Sequence, residues 1–485
     1  MINTGCIDAD VCVIGGGPAG AATAARLAAL GHAVVVLEAQ PFPRVQFGAS
    51  LPPGIWPLFD RLGVRDAIEA GGFVCFNDLL VSWEGPPKRR HRAGEPGRHV
   101  DRARLDNVLL DFARSSGATV IQPARADRPA RANGQWAIAV RGHAAVTTVF
   151  AGIVVDASGS RRIGLGTRRR MSAPTLALYS TWHLPRSAKM EGCVEAGWSE
   201  WMWCAPLGPD AAVAAVFVEP RSVSGFSGDQ VAARYRQLIA GSVLVGRQLG
   251  GAAHGPVLAC DASSWAATPA AGPDFVRVGD ANITLDPLSS QGVQSAMLSA
   301  LQAAAVINTM IRHPERAAAA VEFYQLRQTE SLQRHRAAAG EQYRRMLARY
   351  DHPFWRDRAA IFEQNDPLQS PRAMISADCR VQLSNLASIR DTPVAIGDLI
   401  EVRPALHHPE MRRPAAFFEG MEIAPLLERL RATTRVSAAV DDWAKSHQPK
   451  KCWALMQWLW QHNIILRCHN EGAGEVYIPD REHYD

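Results

Sequence analysis

The first forty residues constrain this chain more than any other stretch. Val11-Cys12-Val13-Ile14 is a short apolar run that reads as a buried parallel strand. It leads into Gly15-Gly16-Gly17-Pro18-Ala19-Gly20, a Gly-x-Gly-x-x-Gly pattern carried by Gly15, Gly17 and Gly20. The alanine-rich residues 21–30 form a helix that Gly31 can close, and Val34-Val35-Val36-Leu37 is a second strand ending at Glu38. Gly15 permits the tight turn, Gly17 lets a pyrophosphate approach the backbone, and Gly20 lets helix and strand pack closely. Pro18 and Ala19 complete the turn, and the N-terminus of the helix that follows offers free N–H groups and a positive dipole to phosphates. Glu38, 18 residues past Gly20, can accept hydrogen bonds from a ribose diol. Strand, turn, helix, strand and acid together predict dinucleotide binding rather than a purely structural glycine turn.

The rest of the composition sets limits. At 485 residues the chain has room for about three domains. Its 47% apolar and 20% charged residues exclude a disordered chain. The 52 basic and 47 acidic residues are spread along the sequence, which argues against nucleic-acid or membrane-surface partners. Only five residues are lysine (88, 189, 445, 450 and 451), so the basic side is almost all arginine, the better residue for forked contacts to phosphate and carboxylate. Nine cysteines show no Cys-x-x-Cys spacing, so no metal site and no disulfide framework are expected. No run of 18 apolar residues and no basic leader are present, and the expected location is cytoplasmic.

Further along, Ile153-Val154-Val155 runs into Asp156-Ala157-Ser158-Gly159, and Val276-Arg277-Val278 runs into Gly279-Asp280. Leu285-Asp286-Pro287-Leu288-Ser289-Ser290-Gln291-Gly292-Val293 then opens a long alanine-rich helix. These signatures together with the glycine turn resemble the FAD-dependent monooxygenases of the aromatic-hydroxylase type, over roughly residues 8–345. The resemblance implies an α/β fold in which a Rossmann-like FAD-binding domain (residues 1–70, 101–171 and 269–350) is interleaved with an antiparallel β-sheet substrate domain (71–100 and 172–268). A C-terminal mixed α/β module would occupy residues 351–485. It also implies that Asp280 binds the ribityl chain, that Pro287, Gln291, Gly292 and Val293 lie beside the isoalloxazine ring, and that Arg102 touches FAD. Pro43-Arg44 and Gly48-Ala49-Ser50-Leu51-Pro52-Pro53 resemble the Gly-Glu-Ser-x-x-Pro segment of tryptophan halogenases, with Ala49 in place of the glutamate, which adds Arg44, Ser50 and Leu51 to the cofactor set. No second glycine unit follows, so either NAD(P)H docks transiently or a flavin reductase supplies reduced flavin.

Two chemistries compete within this resemblance. Trp198, Trp201 and Trp203 lie in a stretch that resembles the halogenase Trp-x-Trp-x-Ile-Pro signature, and aromatic residues at period two suit a strand presenting one face to a cavity. The alternative is that Trp201 and Trp203 only pack between sheet and flavin domain. Halogenation in that family needs a lysine to direct hypohalite, and the corresponding stretch, Phe73 to Asp78, has none. Lys88 lies nearby in a basic stretch that reads as a solvated loop. Hydroxylation asks for less. O2 and reduced flavin give a C4a-hydroperoxide, and the protein supplies orientation, a dry cavity and a general base. Glu200, His183 and Asp286 are candidate bases by location, each with a plain structural role as the alternative.

The Phe-Gly-x-Ser-Leu-Pro-Pro and Asp-Pro-Leu-Ser-Ser-Gln-Gly-Val segments resemble a narrower group, the halogenase-like flavoproteins that mature tryptophylquinone cofactors, such as that of quinohemoprotein amine dehydrogenase. That resemblance implies hydroxylation of a tryptophan side chain in a partner polypeptide. A flavin-dependent halogenase and a non-catalytic FAD-containing maturation scaffold are the alternatives.

Asp351-His352-Pro353 breaks a charged helix over residues 327–350, and the FAD pattern ends there. Residues 436–445 and 450–460 read as helices, and 464–467 with 475–478 as a closing hairpin, a winged-helix-like arrangement. Asp441, Asp442 and Glu475 argue against DNA binding, and Trp443, Trp453, Trp458 and Trp460 are expected mostly in the module's core. If the substrate is a polypeptide, as the resemblance implies, the module is the natural surface to dock it.

Overall fold

The computed structural model describes residues 5–44, 48, 50–161, 163–185, 189–360 and 372–468. The chain divides into two compact units, residues 1–365 with 397–400, and residues 366–396 with 401–485.

In the first unit the short valine-rich runs become the parallel strands expected of them. Thr119–Ile121, Val34–Leu37, Cys6–Ile14, Thr148–Asp156 and Phe275–Arg277 lie side by side in that order. Their central residues are buried on both faces, which is why they read as unbroken apolar runs instead of alternating ones. Register decides what this sheet can do. Ile14 stands opposite both Leu37 and Asp156, and Asp156 stands opposite Arg277. Gly15, Glu38, Ala157 and Val278 therefore all leave the sheet at its carboxyl edge, where open α/β sheets hold their ligands. One face packs on the helices Pro18–Ala29 and Gly292–Arg312, whose buried alanines (Ala21, Ala24, Ala25, Ala300, Ala303, Ala304) allow close approach. The other face is covered by Gln135–Arg141, which pairs antiparallel with Thr148–Asp156.

A second sheet in the same unit runs Ala253–His254, Leu176–His183, Ala211–Val218, Trp201–Pro206, Cys193–Ala196, Asp78–Ser82 and Lys88–His91. It is antiparallel except where Cys193–Ala196 lies parallel to Asp78–Ser82, a strand delivered by a separate excursion of the chain. Only part of the 71–100 stretch joins this sheet. Val74–Phe76 and Gly97–His99 instead form a small sheet with Ser50–Leu51. Alternation along the strands divides the sheet's two faces. Leu178, Trp182, Met202 and Val216 pack under the helices Gly228–Gly241 and Val245–Leu249. Trp201, Trp203, Ala215 and Phe217 face the other way, onto Tyr343 and Met346 of the long helix Ala317–Met346 and onto Phe354 and Trp355. The first unit thus continues past the expected boundary at residue 350. The helix Pro353–Ala359 puts Trp355 wholly inside this core, so the proline break turns the chain without ending the domain.

In the second unit the helices Val436–Trp443 and Pro449–Gln461 pack with a small sheet and with Ile389 and Leu406 of the strands Ser388–Ile396 and Leu399–His407, the latter's first two residues belonging to the first unit. The strand Ile465–Arg467 pairs with Arg380–Leu383; residues 475–478, its expected partner, lie outside the described residues. Trp443 is core and its indole N–H donates to the Leu426 carbonyl at 3.0 Å, whereas Trp453 is 38% exposed. Among the described residues no helix is long and apolar enough to cross a membrane.

Candidate active site

The glycine turn is fixed by what a side chain would strike. Gly15 adopts φ +112°, and a Cβ there would overlap the Ala157 carbonyl oxygen. A Cβ on Gly20 would overlap the carbonyl oxygen of Gly15. Gly17 differs, because a Cβ there would meet only the Arg44 guanidinium, at 3.2 Å. Its missing side chain leaves room for a ligand at the helix start, where Gly17 caps Pro18–Ala29 with no side-chain acceptor on the first N–H groups. Pro18 sits at the helix start where its lack of an N–H costs nothing, and Ala19 and Gly20 are buried behind it.

Glu38 is 3% exposed and accepts from the backbone N–H of Gly16 at 2.7 Å and of Gln40 at 2.8 Å. Arg44 pairs with Glu38 at 3.3 Å and with the fully buried Asp106 at 3.2 Å, while Arg102 pairs with Asp106 at 3.0 Å. Arg44 Nε is buried without a hydrogen-bond partner, and a Cβ on Gly48, which adopts φ +105°, would come within 3.4 Å of the Arg102 guanidinium. Asp106 is a functional residue that the motifs alone did not single out; its i,i+4 spacing from Arg102 was the available signal.

Asp280 is solvent-exposed, yet desolvation by surrounding protein raises its carboxyl above the ordinary range, against the pull of Arg102 and Arg168. Asp280 leaves the carboxyl edge of the parallel sheet just after Phe275–Arg277, where open α/β sheets hold ligands in a crevice. Arg168, from the strand Thr167–Arg170, hydrogen-bonds to Thr284 and is a second cation at this cleft that sequence motifs did not indicate. The open space over Gly17, the orphaned Nε of Arg44 and the hemmed-in Asp280 together suit FAD. Arg44, Arg102, Asp280 and the turn N–H groups would hold it.

Ser50 lies opposite His99, with Ser50 Oγ 3.4 Å from His99 Nδ1. His99 is stacked on Phe76 at 4.1 Å, and burial pushes its imidazole down to about 3, so the ring is neutral. Leu51 is fully buried core, and Ala49 lies outside the described residues.

The turn expected beside the flavin follows Asp286. Its carboxylate accepts from the Leu288 N–H at 3.0 Å and caps the single turn Pro287–Ser289. Ser290 takes φ +50°, a conformation few side chains adopt, and Gln291 N–H donates to Ser289 Oγ at 3.2 Å. Gly292 then opens its helix with open space where a Cβ would be, and Val293 turns into the core. Tyr343 donates to both Asp286 oxygens, at 2.9 and 3.1 Å.

The five candidate catalytic residues part company. Trp201 is 2% exposed and stacks on Phe217 at 3.7 Å, and its indole N–H faces the Tyr343 hydroxyl without closing a well-formed hydrogen bond. Trp203 lies one residue pair further along the same face, opposite Ala215. Asp286 reaches Trp201 through Tyr343. Glu200 accepts from the backbone N–H and the hydroxyl of Ser199 at 3.1 and 2.8 Å, a turn-forming role. His183 is exposed at the end of its strand, paired with Ala211 and Ala253. Neither shares a hydrogen bond or ion pair with the Asp286 group among the described residues. Of the five lysines none is buried, and the first unit's two, Lys88 and Lys189, are exposed.

With this geometry in place, the comparisons with known proteins are direct. Residues 10–164 match the family of FAD dependent oxidoreductases. The chain is 31% identical over 342 residues to a tryptophan 2-halogenase of Chondromyces crocatus, covering 65% of this chain and 64% of that one. It is 28% identical over 365 residues to a flavin-dependent halogenase of Armillaria mellea, covering 63% and 66%. The chain thus spans just under two thirds of the length of these curated relatives. Among solved structures, the flavin-dependent halogenase CmlS superposes with TM-score 0.80 at 22% identity, covering 98% of each chain, which establishes the fold. The peptidyl tryptophan dihydroxylase QhpG, essential for tryptophylquinone cofactor biogenesis, superposes with TM-score 0.72 at 26% identity, covering 94% of this chain and 99% of that one.

Proposed function

From the premise of an FAD-dependent oxidoreductase similar to the tryptophan halogenases, we propose a monooxygenase that hydroxylates an indole ring. Its substrate in this reading is a tryptophan side chain of a partner polypeptide during tryptophylquinone biogenesis. Bound FAD, reduced by NAD(P)H or by a separate flavin reductase and met by O2, supplies the electrophilic oxygen. The chain's own residues bind the cofactor, exclude water and orient the ring. Trp201, Phe217, Trp83 and Trp355 seal one end of the sheet face with interlocked aromatic side chains, and Leu288 of the flavin turn packs on that face. An apolar, aromatic wall favours an uncharged planar substrate.

The observation that carries hydroxylation over halogenation is the placement of the lysines. Directing hypohalite requires an ammonium group at the substrate, and Lys88 stands on the exposed edge strand Lys88–His91. The length-wide likeness to a peptidyl tryptophan dihydroxylase supports the same choice. Halogenation remains the second reading, favoured by the curated relatives. The second unit, with Trp453 exposed on the helix Pro449–Gln461, is the proposed docking surface for the client.

Mass spectrometry of tryptophan peptides and free indoles, after incubation with reduced flavin, oxygen and bromide, tests the proposal. Mass gained as oxygen on a peptide is expected. A bromine isotope pattern would replace hydroxylation by halogenation, and no change with any substrate while FAD stays bound would favour a scaffold.

A further inference from the structure

We propose that Tyr343 is a positioning residue for the flavin turn, its hydroxyl holding the Asp286 cap that shapes Pro287–Ser289. This rests on reading residues 287–293 as the segment that meets the flavin. Tyr343 reaches the turn from the long helix Ala317–Met346, some fifty residues later in the chain, and its ring is buried in the core beneath the tryptophan sheet. A merely space-filling tyrosine could aim its hydroxyl anywhere; this one addresses both oxygens of one carboxylate. The same carboxylate accepts from the Leu288 N–H, so three elements meet at it: turn, long helix and, through the Trp201 indole facing Tyr343, the sheet.

The surroundings make the carboxylate sensitive to its donors. Asp286 lines a cavity of about 20 Å³, room for a water-sized group, together with Ser172, His335, Arg336, Tyr343 and Arg358. Burial raises the Asp286 carboxyl, while the Leu288 N–H, the Tyr343 hydroxyl and the nearby Arg358 guanidinium pull it back down. Arg358 is itself buried and bonded to the carbonyls of Phe354 and Pro174, at 2.8 and 2.7 Å, so it acts on Asp286 from a fixed place without direct contact. His335 is pushed down to about 4 by burial and by Arg334, so it is neutral near pH 7 and contributes no charge there.

The sign follows. Tyr343 donates to the ionised carboxylate, so its removal raises the Asp286 titration further and protonates the cap at higher pH. Titration of the apoprotein with FAD from pH 9 down to the lowest pH at which the protein stays folded, followed by flavin fluorescence and by visible circular dichroism of the bound flavin, reads this directly. In the unaltered protein, affinity falls on the acid side. In Tyr343→Phe that fall is expected to move up by about one pH unit, with a changed dichroic spectrum. In Asp286→Asn the part of the fall that Tyr343→Phe moves is expected to be lost, and Tyr343→Phe added to that background is expected to move nothing further. A fall unmoved in Tyr343→Phe, or still moved by Tyr343→Phe when Asp286 is replaced by Asn, overturns the proposal; should Tyr343→Phe not fold, a fall identical in Asp286→Asn and the unaltered protein overturns it. No turnover is measured, so failure of the hydroxylation reading leaves this test intact.

Discussion

The two ends of the first unit are built on different principles. The glycine turn works through backbone: Gly15 and Gly20 leave no space for a Cβ, while Gly17 leaves space that a ligand needs. The tryptophan sheet works through side chains borrowed from distant segments: Trp201 rests on Phe217, Trp83 and Tyr343, and Trp83 on Trp355. A backbone site is specified locally, whereas a packed site exists only once the whole unit has folded. The sharpest way to break this contrast is inside the turn itself. Gly20→Ala forces a Cβ onto the Gly15 carbonyl and is expected to yield no folded, flavin-loaded protein. Gly17→Ala is expected to fold normally and lose only about tenfold in FAD affinity, about 1.4 kcal/mol. Thermal melts and bound-flavin absorbance separate the two; equal damage from both would mean that the turn is not divided as the geometry divides it.

The same division explains what could be read in advance. The strands at residues 11–14 and 34–37, the turn and Glu38 were legible because each rests on local rules of conformation and spacing. Asp280 and residues 287–293 were legible only by resemblance, since nothing in their own composition says what they face. Tyr343 and Arg168 were not legible, because each acts on a partner supplied by another segment, while Asp106 showed only its helical spacing from Arg102. Glu200 and His183 were candidates by location alone. Folding turned the first into a loop-forming carboxylate and left the second at a strand end. Trp355 was assigned beyond the break at Pro353, although its place is the buried core of the first unit.

Within the packed region, Trp201→Ala removes a fully enclosed ring and is expected to cost about 3–5 kcal/mol in chemical denaturation. At the cleft, Asp106→Ala leaves Arg44 and Arg102 without their shared buried partner and is expected to cost about 3 kcal/mol, together with FAD affinity. A loss of affinity with unchanged stability would mean that Asp106 serves only the cofactor. The pH dependence of stability is a smaller effect. His99 titrates near 3 when folded and near 6.5 when unfolded, so the unfolded chain binds the extra proton between those values. Stability is therefore full above about pH 6.5 and falls by about 2 kcal/mol at pH 5. His99→Gln is expected to flatten that part of the denaturation profile.

The smallest expected effect bears most on the chemistry. Lys88 is the first unit's lysine nearest in sequence to the stretch where a halogenase carries its directing ammonium, and it stands opposite Val81 on the sheet's exposed edge strand. A solvated ammonium there is held by water, away from the apolar face on which the proposed reading sets the indole. Charged side chains on an edge strand also discourage pairing with other chains, which gives Lys88 a role needing no catalysis. Lys88→Ala is accordingly expected to leave FAD content, stability and the mass of any product unchanged, in bromide or without it. A bromination activity abolished by this one substitution would instead place the ammonium at the substrate. The substrate would then lie at the edge strand and not against the packed tryptophan face, and the contrast between a backbone-built turn and a packed aromatic face would no longer map onto cofactor and substrate.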